Sequence, residues 1–473
     1  MDESKTTKLI GVTVLPEYLQ YESIEAVLDR LQAAGVNAVT TSPYVMALAD
    51  EETGSREPPI DAGAGSVRLL DRALWGQREL WVRTSPSFEP DRSLYDGLRY
   101  QPTEPDELTR RDGHIIDDFI AAAQGRDMRV FFQFQAAIPP GYRVQFGGPQ
   151  EDDRPRLPDG RIPKRRVANN GSLASPHVID YAVALTRDLC RRYPSLDGIR
   201  YDWPEYPPYL LDDWFYDFGE HARDAATALG VNFEAMKSAA RSLYTRLHGG
   251  LTNDDLNCCL DAASSPADGT WLIGPEADVR AWLEFKTMLV DRTLARFRGA
   301  MTEACGKHLA MVPNAFPPPW TLASGFDFGR ASGHSQGFCV KLYGMHWGMM
   351  VRFYADQLSA ANPGLDPQRL LAAIIRLLDL ADPGDPLDPA SWRYPEPDEP
   401  HPGGLRAQLR KIEVAQAAAG DTPVYTLAHG YGPIEDFRRR LQVARDASPY
   451  GVWFNRYGYL GDEKLSAMAD VLS

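Results

Sequence analysis

The chain has 473 residues, with 50 lysines and arginines against 65 aspartates and glutamates, for a formal net charge of -15. That balance works against a nucleic-acid or anionic-membrane partner, and a neutral substrate suits it better. The five cysteines, Cys190, Cys258, Cys259, Cys305 and Cys339, are odd in number and lack CxxC spacing, so they form neither a disulfide framework nor a zinc site.

The first residues, Met1-Asp2-Glu3-Ser4-Lys5, run into an apolar segment at 9–15 with no basic n-region or long h-region, which leads us to expect cytoplasmic residence. No apolar run approaches the roughly 18 to 20 residues that span a bilayer, so a soluble protein is expected. A homo-oligomer is compatible with the sequence.

Short β-rich runs then alternate with helical patterns from end to end, the signature of a parallel α/β sheet. Eight strands are predicted, at 9–15, 38–42, 129–135, 198–202, 309–314, 338–343, 423–429 and 451–456. Between them apolar residues recur at i, i+3, i+4 and i+7: Ile24, Val27, Leu28 and Leu31; Val178, Tyr181, Ala182 and Leu185; Leu465, Met468, Ala469 and Leu472. The second of these helices carries a start signal, Ser175 as N-cap with Pro176 at the first helical position. Eight strands with intervening helices close into a (β/α)8 TIM barrel, and the whole chain, 1–473, reads as one such catalytic barrel. No Gly-rich turn follows the first strand; Leu15-Pro16-Glu17-Tyr18 stands there, which argues against a dinucleotide site.

Three connections are long, at about 47–112, 136–174 and 383–404, against the usual 2 to 6 residues. The first holds Trp75, Trp81, Phe88, Tyr95 and Tyr100. The second is rich in Gly, Pro and Arg, and the third is Pro-rich with Trp392 and Tyr394. All three are expected to shape a substrate cleft on the catalytic face, the alternative being plain surface elaboration.

Barrel enzymes build their sites at the C-terminal strand ends. Those ends carry Glu17, Gln133 and Gln135, Asp202 and Glu205, Asn314, Lys341 with Tyr343, His346 and Trp347, His429, and Arg456 with Tyr457. The richest stretch is Gly198-Ile199-Arg200-Tyr201-Asp202-Trp203-Pro204-Glu205-Tyr206, where an apolar strand runs into two carboxylates, an arginine and three aromatic rings. Buried polar groups beside Trp and Tyr faces suit a polyol, so a carbohydrate substrate is expected. No HExxH occurs, and His346 and His429 lie on different strands without a carboxylate cluster, so neither a metal nor another cofactor is expected.

Gly198-Ile199-Arg200-Tyr201-Asp202 resembles the fourth-strand motif of the α-amylase superfamily. In that family the Asp is the nucleophile and the Arg holds it ionised. Over a longer span, Ser172-Leu173-Ala174-Ser175-Pro176 through to Asp202 is similar to bacterial glycosyl-hydrolase-like barrel proteins, and Lys341-Leu342-Tyr343 fits the same group. The amylase pattern places a Glu at the fifth strand end and an Asp at the seventh, where this chain has Asn314 and His429. The resemblance therefore implies carbohydrate chemistry by Asp202 and leaves its acid partner open.

Glycoside cleavage ordinarily uses two carboxyl groups. Candidates for the second are Glu205, on the same loop as Asp202; Glu284, near the start of the helix before the fifth strand; and Glu17. Each has a structural reading as well: Glu205 as a turn acceptor, Glu284 as a first-turn helix carboxylate, Glu17 as the partner of a lid arginine. The leading expectation is a glycoside hydrolase or transglycosidase, with retention at the anomeric centre, Asp202 as nucleophile, and Arg200 keeping it ionised. Glu17, Gln135, Trp203, Tyr206, Asn314, Lys341, Tyr343, His346, Trp347, His429 and Arg456 would bind substrate. The alternatives are a lyase or isomerase in which Lys341, His346 or His429 moves protons, and a carbohydrate-binding barrel without catalysis.

Overall fold

The computed structural model describes residues 8–59, 68–261, 277–306, 308–385 and 387–472. Its strands are β1 (Leu9–Thr13), β2 (Ala38–Thr41), β3 (Tyr44–Leu48), β4 (Ser55–Glu57), β5 (Leu80–Pro86), β6 (Arg129–Gln135), β7 (Gly198–Asp202), β8 (Ala310–Met311), β9 (Asn314–Ala315), β10 (Phe338–Leu342), β11 (Val424–His429) and β12 (Gly451–Asn455). The large sheet runs β8-β7-β6-β2-β1-β12-β11-β10-β9, and every pairing in it is parallel.

Its two edges belong to one short segment. β8 pairs with β7 and β9 with β10, and only Val312 and Pro313 separate them. Proline has no N–H to give the ladder, so the strand breaks there without leaving it. The Val312 N–H still bonds the Ile199 carbonyl at 2.9 Å, and the Cys339 N–H bonds that of Pro313 at 3.0 Å. The chain is therefore an α/β barrel in which β8 and β9 together make the fifth of eight staves. Each predicted strand overlaps an observed one.

Large side chains fill the barrel. A Cβ on Gly11 would lie 2.1 Å from the Trp453 ring, so glycine is required where that ring crosses the axis. Phe131 meets Trp453 edge to face at 5.3 Å. The Arg200 guanidinium lies 4.2 Å above the same indole, closing the layer below the mouth.

Outside, the helix Pro176–Arg192 starts where its sequence signals it, with Ser175 Oγ accepting from the Val178 N–H at 3.3 Å. It packs with the helix Ala277–Cys305 behind β7, and outward-facing Tyr201 stacks on Phe297 at 4.4 Å.

The first long connection is more than a loop. It carries a separate antiparallel sheet, β3-β5-β4. Residues 60–67 of that connection and 386 of the third lie outside the described residues, as does the amino-terminal segment 1–7. The second connection centres on buried Asp153, whose carboxylate accepts from Arg99 (2.9 Å), Tyr100 (2.6 Å) and Ser175 (2.6 Å). The third brings Trp392, Tyr394 and His401 into the interior. Among the described residues no helix is long and apolar enough to cross a membrane.

Candidate active site

Side chains alternate across a strand, and on β7 this sends Ile199 and Tyr201 toward the helices and Arg200 and Asp202 into the barrel. The chain then turns through Trp203, which adopts φ 50°, a left-handed conformation that an aromatic residue rarely holds. Such strain concentrates at functional sites.

Asp202 stands at the centre of the mouth. Lys341, from β10, places its Nζ 2.9 Å from Asp202 Oδ1, and Asn314 Nδ2, from β9, donates to the same oxygen at 3.2 Å. Burial pushes the Asp202 pKa up, but Lys341 by charge and hydrogen bond, then Asn314 and more distant Arg200, outweigh it and leave the carboxyl below its ordinary value. Its side chain remains 15% exposed, whereas the strand-end carboxylates of Glu17 and Glu205 are sealed.

Arg200 reaches Asp202 through an intermediary. Its Nη2 donates to Asn314 Oδ1 at 2.8 Å, while Nη1 donates to Thr40 at 3.1 Å and Thr13 at 3.4 Å. The arginine thereby orients the Asn314 amide, whose NH2 faces Asp202 and also Gln133 Oε1 at 3.2 Å. Arg200 is expected to keep Asp202 ionised, and its charge does lower the Asp202 pKa, but it reaches the carboxyl by hydrogen bonds only through Asn314, because the residue two positions earlier on a strand sits a layer deeper in the barrel. Gln135 is the register partner of Asp202, and its buried Oε1 has no hydrogen-bond partner.

Of the three candidate second carboxyls, Glu205 falls nearest this group. Its Oε1 accepts from the Phe316 N–H at 2.8 Å and its Oε2 from Ser324 Oγ at 2.5 Å. Burial pushes its pKa up to about 7, with Lys341 pulling down and the Asp202 charge adding to the rise. Glu17 is the partner of a lid arginine: it accepts from Arg143 at 3.2 Å and from the Tyr44 hydroxyl at 3.0 Å. Arg143 also donates to buried Glu57, which takes Arg456 as well. Glu284 is corrected outright. It is exposed on the outer face of its helix and paired with Arg330, because its turn of the helix presents Phe285 and Lys286, not Glu284, to the interior.

Two further residues expected to line the site do not. Tyr206 is buried in the wall, its hydroxyl donating to Asp217 at 3.4 Å and its ring 5.4 Å from Lys286. Trp347 packs in the helical layer, 5.8 Å from Trp320, because it lies one residue past His346 and so turns away from the mouth. Tyr343, His346 and His429 do come together, with Tyr343 edge to face against His346 at 5.5 Å and His429 at 5.2 Å.

The structure adds residues that the sequence reading passed over. Phe316 lies 4.8 Å beneath the Lys341 ammonium, and Tyr209 bridges Trp203 (5.9 Å) to His346 (5.6 Å). Tyr431 and Tyr459 follow β11 and β12 by two and four residues. The signal for Phe316 and Tyr431 was parity, since each stands two places beyond an inward-facing strand-end residue. His401 and Tyr394, from the third insertion, had none.

Among the described residues one cluster has metal-ligating types, Asp153, His177 and His221. Asp153 already accepts four hydrogen bonds, from Arg99, Tyr100, Ser175 and His221, and an arginine is one of the donors. It reads as the hub that ties the second insertion to its neighbouring helices.

No protein-family model and no curated protein matches the sequence. Solved structures do match its fold. The catalytic domain of a β-amylase from Paenibacillus polymyxa superposes with a TM-score of 0.51 at 10% identity, covering 99% of this chain and 98% of that one. A β-galactosidase from the haloarchaeon Halorubrum lacusprofundi gives 0.51 at 12%, covering 98% and 57%, and one from Bacillus circulans sp. alkalophilus gives 0.50 at 11%, covering 99% and 56%. The chain thus spans a little over half the length of the β-galactosidases it matches. At 10 to 12% identity these likenesses show the barrel fold.

Proposed function

We propose that the protein is a glycoside hydrolase or transglycosidase acting on an oligosaccharide or glycoside, with Asp202 as nucleophile and Glu205 as the second carboxyl group. One observation carries this reading. Two neighbouring carboxyls are driven in opposite directions, Asp202 toward ionisation by Lys341 and Asn314, Glu205 toward protonation near neutrality by burial. An ionised group open to the mouth beside a protonated one is what displacement at a sugar carbon requires. Trp203 and the groups about it supply an aromatic face, and the unpartnered Gln135 Oε1 supplies an acceptor for a hydroxyl.

In the reaction, Asp202 attacks the anomeric carbon while Glu205 gives its proton to the leaving oxygen, and water, passing a proton to the Glu205 carboxylate, then displaces Asp202 from the glycosyl ester with overall retention. Lys341 and Asn314 hold the attacking carboxylate in place and charged. The test is turnover of an aryl-glycoside and oligosaccharide panel by the protein and by Asp202→Asn, with proton NMR of the first-formed anomer. Full activity in Asp202→Asn would remove Asp202 from the chemistry, and an inverted product would make it a base.

A second reading is favoured by the contact between Lys341 and Asp202. A buried lysine against a carboxylate is also the arrangement of a proton-transferring lyase or isomerase. It is distinguished by products: an unsaturated or isomerised sugar in place of a hydrolysed one.

A further inference from the structure

On the β10 to β12 side of the mouth, six aromatic side chains close a ring. Its centroid spacings are 5.5 Å from Tyr343 to His346, 6.2 Å to Tyr394, 5.7 Å to Tyr431, 6.0 Å to Tyr459, 5.1 Å to His429 and 5.2 Å back to Tyr343. The members come from four separate parts of the chain: the end of β10 with the helix after it, the third insertion, the end of β11 with the loop after it, and the turn after β12. Tyr209 connects this ring to Trp203, and so to Asp202, through its contacts with both Trp203 and His346.

One hydroxyl of the ring and one imidazole beside it are left without hydrogen-bond partners. The Tyr459 hydroxyl is fully buried and unbonded. His401 lies 5.8 Å from Tyr431, 5% exposed, with neither Nδ1 nor Nε2 hydrogen-bonded. An imidazole buried in that condition costs free energy unless a ligand or water meets it. Its place there is built in, since Gly432, at φ +101°, approaches so closely that a Cβ would lie 3.0 Å from His401 Nε2.

Charge selects among ligands. An aromatic cage can hold a quaternary ammonium, but none of the ring's six members is a carboxylate, and the charge bearing most on His429 and Tyr431 is the positive one of Arg68. A carboxylated sugar finds Arg440, Lys464 and Arg456 already paired with Asp436, Asp71 and Glu57, and Arg68, 5.9 Å from the Tyr459 ring, already engaged, its Nη2 donating to the Pro59 carbonyl at 3.3 Å. What remains is a neutral polyhydroxylated ring, its C–H face on the aromatic walls and its hydroxyls on Tyr459 and His401.

We propose that this aromatic ring is a second sugar subsite, and that the substrate is a neutral oligosaccharide reaching from Asp202 to Tyr431. The proposal rests on the reading of the Asp202 mouth as a glycoside site. In Asp202→Asn protein, calorimetry with neutral gluco- and galacto-oligosaccharides of two to four residues is expected to show binding at least tenfold tighter than for the monosaccharides. Tyr459→Phe, which keeps the ring and removes one unpartnered hydroxyl, should lose most of that advantage and leave monosaccharide binding unchanged; Tyr431→Ala should lose all of it. Melting temperatures show that each variant is folded, and Tyr459→Phe carries the test if Tyr431→Ala is not. Equal affinity for short and long sugars, unaltered oligosaccharide binding in a folded variant, no binding by any sugar in the panel, or tighter binding of choline or a uronate oligomer would each overturn it. If the subsite variants behave as expected but the unaltered protein releases no product, the catalytic reading fails and the subsite stands.

Discussion

Asn314 Nδ2 lies 3.2 Å from Asp202 Oδ1, on an amide whose own oxygen is held by Arg200 at 2.8 Å. A buried arginine fixes the amide, and the amide fixes the carboxylate, so the orientation of Asp202 is set from the barrel floor. Asn314→Asp would exchange a donor for a second negative charge beside Asp202 while keeping the partner of Arg200. The Asp202 pKa should rise, moving the acidic limb of the pH profile of kcat/KM upward. An unchanged limb would show that Asn314 does not act on Asp202.

Lys341 is expected to exert the larger effect on the same limb. It is the first of the groups that lower the Asp202 pKa against burial. In Lys341→Met, burial would dominate and the limb should move up by roughly 1 to 3 pH units. The lysine is nearly buried, so Asp202→Asn should also destabilise the fold by leaving an ammonium without its counter-charge. Asp202→Asn combined with Lys341→Met should then melt higher than Asp202→Asn alone, a comparison that thermal unfolding provides.

Glu205 has a folded-state pKa of about 7, above the 4.5 of an unperturbed glutamate. The folded protein therefore holds this proton more tightly than the unfolded chain. The resulting stabilisation is complete below about pH 4.5 and is lost as the pH rises through 7. Relative to Glu205→Gln, the protein should lose about 1.4 kcal/mol per pH unit between about pH 4.5 and 7, and the difference should level off above that. Urea unfolding of both at pH 5, 6 and 7 measures the difference, and a gap between them that stays constant over that range would contradict the assignment.

Glu57 receives Arg143 from the second insertion and Arg456 from the end of β12, in a buried site. Glu57→Gln leaves two buried guanidinium groups facing a neutral amide. A loss of about 3 to 5 kcal/mol is expected, seen as a lower urea midpoint. A variant as stable as the parent would show that the cluster does not bind the insertions to the barrel.

The sequence by itself determined the barrel. Alternating β-rich and helical periodicities located all eight staves, and the Ser175-Pro176 start signal placed one helix to the residue, because these patterns are set by local backbone geometry. It also pointed to Asp202, since a carboxylate at the end of an apolar strand is conspicuous in one dimension. Only the tertiary structure decided what surrounds that carboxylate. Lys341 and Asn314 lie more than a hundred residues away along the chain, and they meet Asp202 because β7, β9 and β10 converge where the barrel closes. Glu284 and Glu205 looked alike as sequence, yet helix rotation put one in solvent and burial put the other beside the site. Tyr431 and Phe316 were legible in principle from strand parity. His401 and Tyr394 were not, because an irregular insertion has no period from which the direction of a side chain can be read.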